Sequence, residues 1–278
     1  MNKSSQNRAR VEDVLLIAGK SLSVAMMVFG FLFLLGPILV VVISSFTSAS
    51  YLTFPPTEFS MRWYWEVFSL SWFSSSIITS FTIAIISTAI SAVIGILVAR
   101  ALARGSFRAK GFVELIVLTP LLLPVIVLGF ALFNILVHFA LEGNNFINLI
   151  GGHILITVPF VVRSVWSAMA GTDISLEEAS LGLGATPYRT FMNVVLPMAR
   201  PGIISGGILA FTYSFNDVSL SIFLTGPNAT TLPVQMMSHI EYSADPTPAA
   251  ISTIMLTVTL IIFIITSRTV GLKIFSEK

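Results

Sequence analysis

With 278 residues, 55% of them hydrophobic and only 10% charged, the chain falls far below the roughly 25% charged residues of a soluble domain, so it is an integral membrane protein. Its net charge of +2 is too small to point to a nucleic-acid partner. The absence of cysteine removes disulfides, thiol catalysis and cysteine-ligated metal, and His138, His153 and His239 lie too far apart for a metal-ligand spacing.

A hydrocarbon core of about 30 Å takes roughly 20 apolar residues per helix, and six segments meet that test. The N-terminal MNKSSQNRAR is basic, and the apolar stretch behind it is longer than a signal-peptide core and has no small-residue cleavage site. Residues 1–21 therefore read as a cytoplasmic segment leading into a retained first span, 22–45, broken only at Gly36-Pro37. The loop TSASYLTFPPTEFSMRWYWEVF follows; its Trp63, Tyr64 and Trp65 suit a headgroup-level aromatic belt. The second span, 73–99, is uncharged and gives way to a tight basic loop with Arg100, Arg104, Arg108 and Lys110. The third lies within 114–142, where Pro120 and Pro124 are expected to kink it. The fourth, 146–171, contains Pro159 and Arg163. The fifth, 202–224, has Asp217 inside it, and the sixth is 248–267, before a cytoplasmic tail at 269–278.

Orientation follows from the basic residues. Alternating the connections gives fourteen Lys and Arg on one side and only Arg62 on the other, so both termini are cytoplasmic by the positive-inside rule. The opposite face carries Glu58, Glu66, Glu142, Glu241 and Asp245 and is acidic. The expected fold is all-α and integral to the membrane, with six helices, N-in and C-in, in one transmembrane domain at 22–268.

The connection at 175–202, SLEEASLGLGATPYRTFMNVVLPMARPG, is too long for a simple link between spans. Ser175 and Glu178 have the spacing of a capping box. Gly182 and Gly184 interrupt that helix, Thr186-Pro187 restarts one, and Pro197 and Pro201 close the segment. Such a cytoplasmic helical hairpin has to dock on something. Glu178-Ala179-Ser180, three residues to Gly184, nine to Val194, then Leu196-Pro197, resembles the EAA loop of the permeases of ABC importers. Ser180 stands where that pattern has its second alanine and Val194 where it has isoleucine.

The resemblance implies a coupling-helix hairpin between helices 4 and 5, docked on a cytoplasmic ATPase through Glu177, Glu178, Ala179, Ser180, Gly184, Ala185, Tyr188, Leu196 and Pro197. The chain has no G-x-x-x-x-G-K-[ST] nucleotide motif, so it cannot hydrolyse ATP itself; it is expected to be no enzyme and to bind no cofactor, with ATP and magnesium acting on the partner ATPase. Other implied partners are a second homologous permease, an extracytoplasmic solute-binding protein and membrane lipid. The runs FPPTEFSMRWYWEVF, TPLLLPVIVLGFALF and SFNDVSLSIFLTGP look most like permeases of the spermidine/putrescine type. Related importers of phosphonates, opines, iron or thiamine share much of that framework.

Within the spans, a carboxylate costs roughly 2.5 to 3.5 kcal/mol on insertion scales, so Asp217 should face a pore or a partner. One reading lines a translocation path with Asp217, Asn216, Tyr213 and Ser214. The other makes Asp217 an interhelical or interfacial group. Asn134 and His138 share a helix face and could line the path or join helices, and Arg163 could snorkel to the cytoplasmic side. His153 and His239 read as interfacial. An intramembrane enzyme lacks its catalytic pairs here, and a stand-alone transporter leaves the hairpin unexplained.

Overall fold

The computed structural model describes residues 3–270. Among the described residues it is helical, with two isolated β-bridges and no strand. They fall into two compact units, 3–67 with 244–253, and 68–243 with 254–270.

The first unit contains α1 (Lys3–Ser44), most of α2 (Arg62–Ser69) and the start of α12 (Thr247–Val270). The break expected at Gly36-Pro37 does not occur, and α1 runs through Pro37. Proline forfeits one helical hydrogen bond, whereas unwinding in lipid would strand several backbone groups without water. The loop behind α1 is held by aromatic residues with polar tips. Trp63 Nε1 donates to the Ala49 carbonyl at 3.1 Å, and the Tyr64 hydroxyl meets Ser45 Oγ at 2.6 Å. Trp63 is therefore buried, not part of an outward-facing belt, whereas Trp65 is exposed.

The second unit is built on α3 (Ser71–Arg104), α6 (Asn145–Ala170) and α9 (Leu196–Phe215), which pack on one another. Their contact surfaces are small: a Cβ on Gly95 would come within 2.6 Å of Val161 Cγ1, and one on Gly202 within 2.6 Å of the Ser164 carbonyl oxygen. Helices in lipid associate by such close backbone approach, because the lipid is as apolar as the side chains. Ala99, Leu102, Val161, Val165, Met169 and Ala210 fill the resulting core. Arg100 and Arg104, expected in a loop, belong to the last turns of α3.

The third span is not one kinked helix. It is α4 (Lys110–Leu122) and α5 (Val125–His138), bent by 109° across Leu123-Pro124. A residue before proline is pushed out of the helical region, and Leu123 lies at φ −92°, ψ 144°. Pro120 stays inside α4. Five described helices are long and apolar enough to cross a membrane, or six if this bent pair counts as one span.

The fifth span also differs from expectation. Helix continues from α8 (Pro187–Thr190) through a π-helical turn at Phe191–Val195 into α9. Pro197 and Pro201 thus sit within the helix and do not close it. Pro197 has no N–H to offer four residues back, and the wider turn bonds Leu196 N–H to the Phe191 carbonyl instead. At the other end the helix stops at Phe215, and α10 (Ser221–Leu224) follows a turn, so Asp217 lies beyond the span that was expected to contain it. Asn216 caps the end by donating its side-chain N–H to the Thr212 carbonyl. In the connection that follows, α11 (Leu232–Tyr242) is tied to α3 by the Leu232 N–H donating to Ser80 Oγ.

Candidate functional site

The hairpin opens with α7 (Ser175–Gly182). The expected capping box is absent: Ser175 is already helical, and its backbone N–H donates to Asp173 Oδ1 at 3.0 Å. Asp173, a shorter acceptor two residues earlier, does the capping; the Ser175 hydrogen bonds hold its carboxyl below the usual carboxylate range. Glu177 and Glu178 complement the positive end of the helix. The helix closes in a Schellman turn, with Gly184 at φ 86°, its N–H on the Leu181 carbonyl and the Ala185 N–H on the Ser180 carbonyl. α8 then begins as expected, Thr186 Oγ1 accepting from the Arg189 N–H and Pro187 in the first turn.

Ser180 Oγ meets Thr190 Oγ1 at 3.0 Å, tying the two legs together at the position where alanine was expected. Glu178, Ala179, Gly184 and Tyr188 are exposed, Ala185 and Leu196 half-buried, and Pro197 exposed on the continuing helix. Leu183 is 90% exposed and Tyr188 69%, and with Leu176 and Leu181 they give the hairpin an uncovered apolar surface. Glu177 is different. It is buried, and its Oε1 accepts from Arg104 Nε at 2.9 Å.

The second cluster surrounds the end of α9. Val125, Phe160, Thr212, Tyr213, Asn216 and Asp217 line an open cleft of about 510 Å³. Tyr213 packs against Phe160 at 4.8 Å between ring centroids. Asp217 caps α10: its Oδ2 accepts from the Leu220 N–H, the Ser221 N–H and the Ser221 hydroxyl at 3.1, 2.9 and 3.0 Å. Its Oδ1 lies 3.5 Å from the Leu220 N–H. Asn134 is not in this cluster; it is exposed and donates to the Phe130 carbonyl of its own helix.

Ser214 faces away from the cleft, into a buried polar chain. His153 is 1% exposed, not interfacial, with Nδ1 at 2.7 Å from Ser214 Oγ and Nε2 at 3.0 Å from Ser221 Oγ. Because the Ser221 proton is committed to Asp217, Ser221 must accept from His153 Nε2–H. Nδ1 of the neutral ring is then the acceptor for the Ser214 hydroxyl. Ser87 meets Ser214 at 3.3 Å, and Ser91 meets Thr157 at 2.8 Å one helical layer away. His153 was missed by sequence reasoning; the available signal was the recurrence of Ser87, Ser91, Thr157, Ser214 and Ser221 in apolar helices, since hydroxyls buried there need partners.

The model of the family described as "Binding-protein-dependent transport system inner membrane component" matches residues 91–272. The putrescine transport system permease protein PotI of Escherichia coli (strain K12) is 33% identical over 239 residues, covering 84% of this chain and 85% of that one. The spermidine/putrescine transport system permease protein PotC of the same strain is also 33% identical, covering 82% and 86%. Among solved structures, a bacterial alginate ABC transporter in complex with an alginate pentasaccharide-bound periplasmic protein superimposes with a TM-score of 0.68 at 16% identity, covering 94% of this chain and 95% of that one. Its fold is that of an ABC importer permease. The chain therefore belongs to the inner-membrane components of binding-protein-dependent transport systems, as a multi-pass permease subunit of the bacterial inner membrane.

Proposed function

We propose that this permease moves a polyamine such as putrescine or spermidine, or a similar small organic cation, inward at the expense of ATP hydrolysed by a separate subunit. The observation that carries the substrate class is the likeness to two polyamine permeases over more than four-fifths of this chain. A carboxylate lining a cleft that the Phe160–Tyr213 ring pair also lines suits an amine by charge and by cation–π attraction. The bent pair α4–α5 counts as one span in this reading, which gives six spans with both termini and the hairpin cytoplasmic.

The hairpin docks on the ATPase through Glu178, Ala179, Leu183 and Tyr188, all uncovered, and ATP with magnesium binds there and not to this chain. A second homologous permease completes the pore, two ATPase subunits drive it, and an extracytoplasmic binding protein delivers the solute. Closure of the ATPases shifts the hairpin, and the helices it joins rock between two states.

In the assembled complex, Glu178→Arg is expected to release the ATPase, and a lone chain fully active in liposomes would overturn this reading. For the substrate, Asp217→Asn is expected to raise the KM for putrescine about tenfold, the scale of one lost charge-assisted hydrogen bond. Uptake with unchanged KM would remove Asp217 from the path. Ligand binding to the cognate binding protein separates a polyamine from any other solute.

A further inference from the structure

The hairpin is joined by the chain to α6 and α9 only, yet it is gripped by a third helix. Arg104, the last residue of α3, donates Nε–H to Glu177 Oε1 at 2.9 Å and Nη2–H to both the carbonyl and the hydroxyl of Thr172 at 3.1 Å. Only 18% of the Arg104 side chain and 12% of the Glu177 side chain are exposed. One turn earlier, the Arg100 guanidinium lies over the Phe191 ring, 4.6 Å from its centroid. Arg104 thus holds the entry of the first leg and Arg100 the exit of the second.

We infer that Arg100 and Arg104 are positioning residues that lock α3 to the coupling hairpin, so that a displacement of the hairpin moves α3 together with the two helices it joins. Glu177 then belongs to this internal strut and not to the ATPase-docking face, which falls to Glu178 and its exposed neighbours. The geometry requires arginine. Its planar fork reaches the carboxylate and Thr172 at once and stacks on an aromatic face, whereas lysine offers a single point charge. The buried pair resists screening, and the three anchors sit on both legs, so the hairpin cannot pivot about one of them.

This inference rests on the hairpin docking to an ATPase, and the experiment separates the two. The complete importer is reconstituted in proteoliposomes with Arg104→Gln, Arg104→Lys, Glu177→Gln, the Arg104→Gln/Glu177→Gln double variant, and Glu178→Arg. The ATPase is expected to remain bound to the Arg104 and Glu177 variants, with hydrolysis still stimulated by the loaded binding protein. Substrate moved per ATP is expected to fall about tenfold, within the usual range of coupling between sites, with Arg104→Lys intermediate. The double variant is expected to be no worse than either single, the signature of one shared interaction. Loss of the ATPase from Glu177→Gln, wild-type stoichiometry in the single variants, or additive losses would overturn the strut. Retention of the ATPase by Glu178→Arg would instead overturn the docking reading.

A second measurement covers variants that fail to assemble. The chain has no cysteine, so nitroxides can be placed cleanly at Leu97 on α3 and Arg189 on the second leg of the hairpin, both exposed. Their separation in the otherwise unaltered importer is expected to stay constant between nucleotide-free and ATP-bound states. A change in that distance through the cycle would overturn the inference.

Discussion

At the scale of single residues, the protein spends its few polar groups in pairs. His153 is the clearest case, because both ring nitrogens are satisfied by hydroxyls from other helices, Ser214 and Ser221. Replacing it by leucine leaves Ser214 without the acceptor for its proton and Ser221 without its donor, and a buried group so abandoned costs about 1–3 kcal/mol. The expected result for His153→Leu is a thermal midpoint several degrees lower in detergent, with His153→Gln recovering part of the loss because an amide restores one partner. Unfolding of His153→Leu at the unaltered temperature would mean that the chain of hydroxyls contributes nothing. The sequence offered only the recurrence of serine and threonine in apolar helices, with nothing to pair them with His153. A lone histidine in an apolar stretch carries no mark of which helices will surround it, and its partners lie 61 and 68 residues away. Asp217 was legible as an unusual carboxylate, but its capping of α10 depends on where α9 stops, and that is set locally by Asn216 bonding back to Thr212.

At the scale of elements, the apolar runs located the first, second, fourth and sixth long helices but not the bend in the third or the bounds of the fifth, because about 20 consecutive apolar residues have few alternatives to a helix in lipid. Proline was the weak signal. Pro37, Pro120, Pro159 and Pro201 all sit inside helices, and only Leu123-Pro124 ends one. The rule that proline costs a hydrogen bond is the same at each site; what differs is whether neighbouring structure makes the break tolerable, which is tertiary information. The hairpin's glycines separate in the same way. Gly182 is helical and Gly184 lies at φ 86°, although the sequence presents them as equals. Alanine at a left-handed position costs about 1–2 kcal/mol, so Gly184→Ala is expected to speed hydrogen exchange of the Ala185 amide about tenfold by loosening its bond to the Ser180 carbonyl. Gly182→Ala, where a Cβ meets nothing within 4 Å, is expected to leave that exchange unchanged or slower. Equal protection in both variants would show that the turn does not need its glycine.

At the scale of the whole molecule, the charge count makes a statement that packing cannot make. Helices are indifferent to which end of a span faces the cytoplasm, but fourteen of fifteen Lys and Arg fall on one alternating set of connections, and such residues resist translocation. The hairpin follows Ala170 at the end of α6, and the turn at 142–144 precedes α6, so one span separates the two ends and they must lie on opposite faces. In the proposed topology the acidic face receives Glu142, while Arg100, Arg104 and Glu177 meet on the cytoplasmic side. Because the chain contains no cysteine, single thiols report this cleanly. Arg189→Cys, exposed on the second leg of the hairpin, is expected to react with a membrane-impermeant maleimide only in inverted vesicles. Tyr51→Cys, exposed in the connection after α1, and Tyr242→Cys, exposed at the end of α11, are expected to react only from the outside of intact spheroplasts. The opposite pattern would invert the topology and put the apolar hairpin where no ATPase could reach it. Labelling of Arg189→Cys from the outside only, with Tyr51→Cys still labelled from the outside, would mean that α4 and α5 do not together make one span, since removing one crossing reverses everything that follows it.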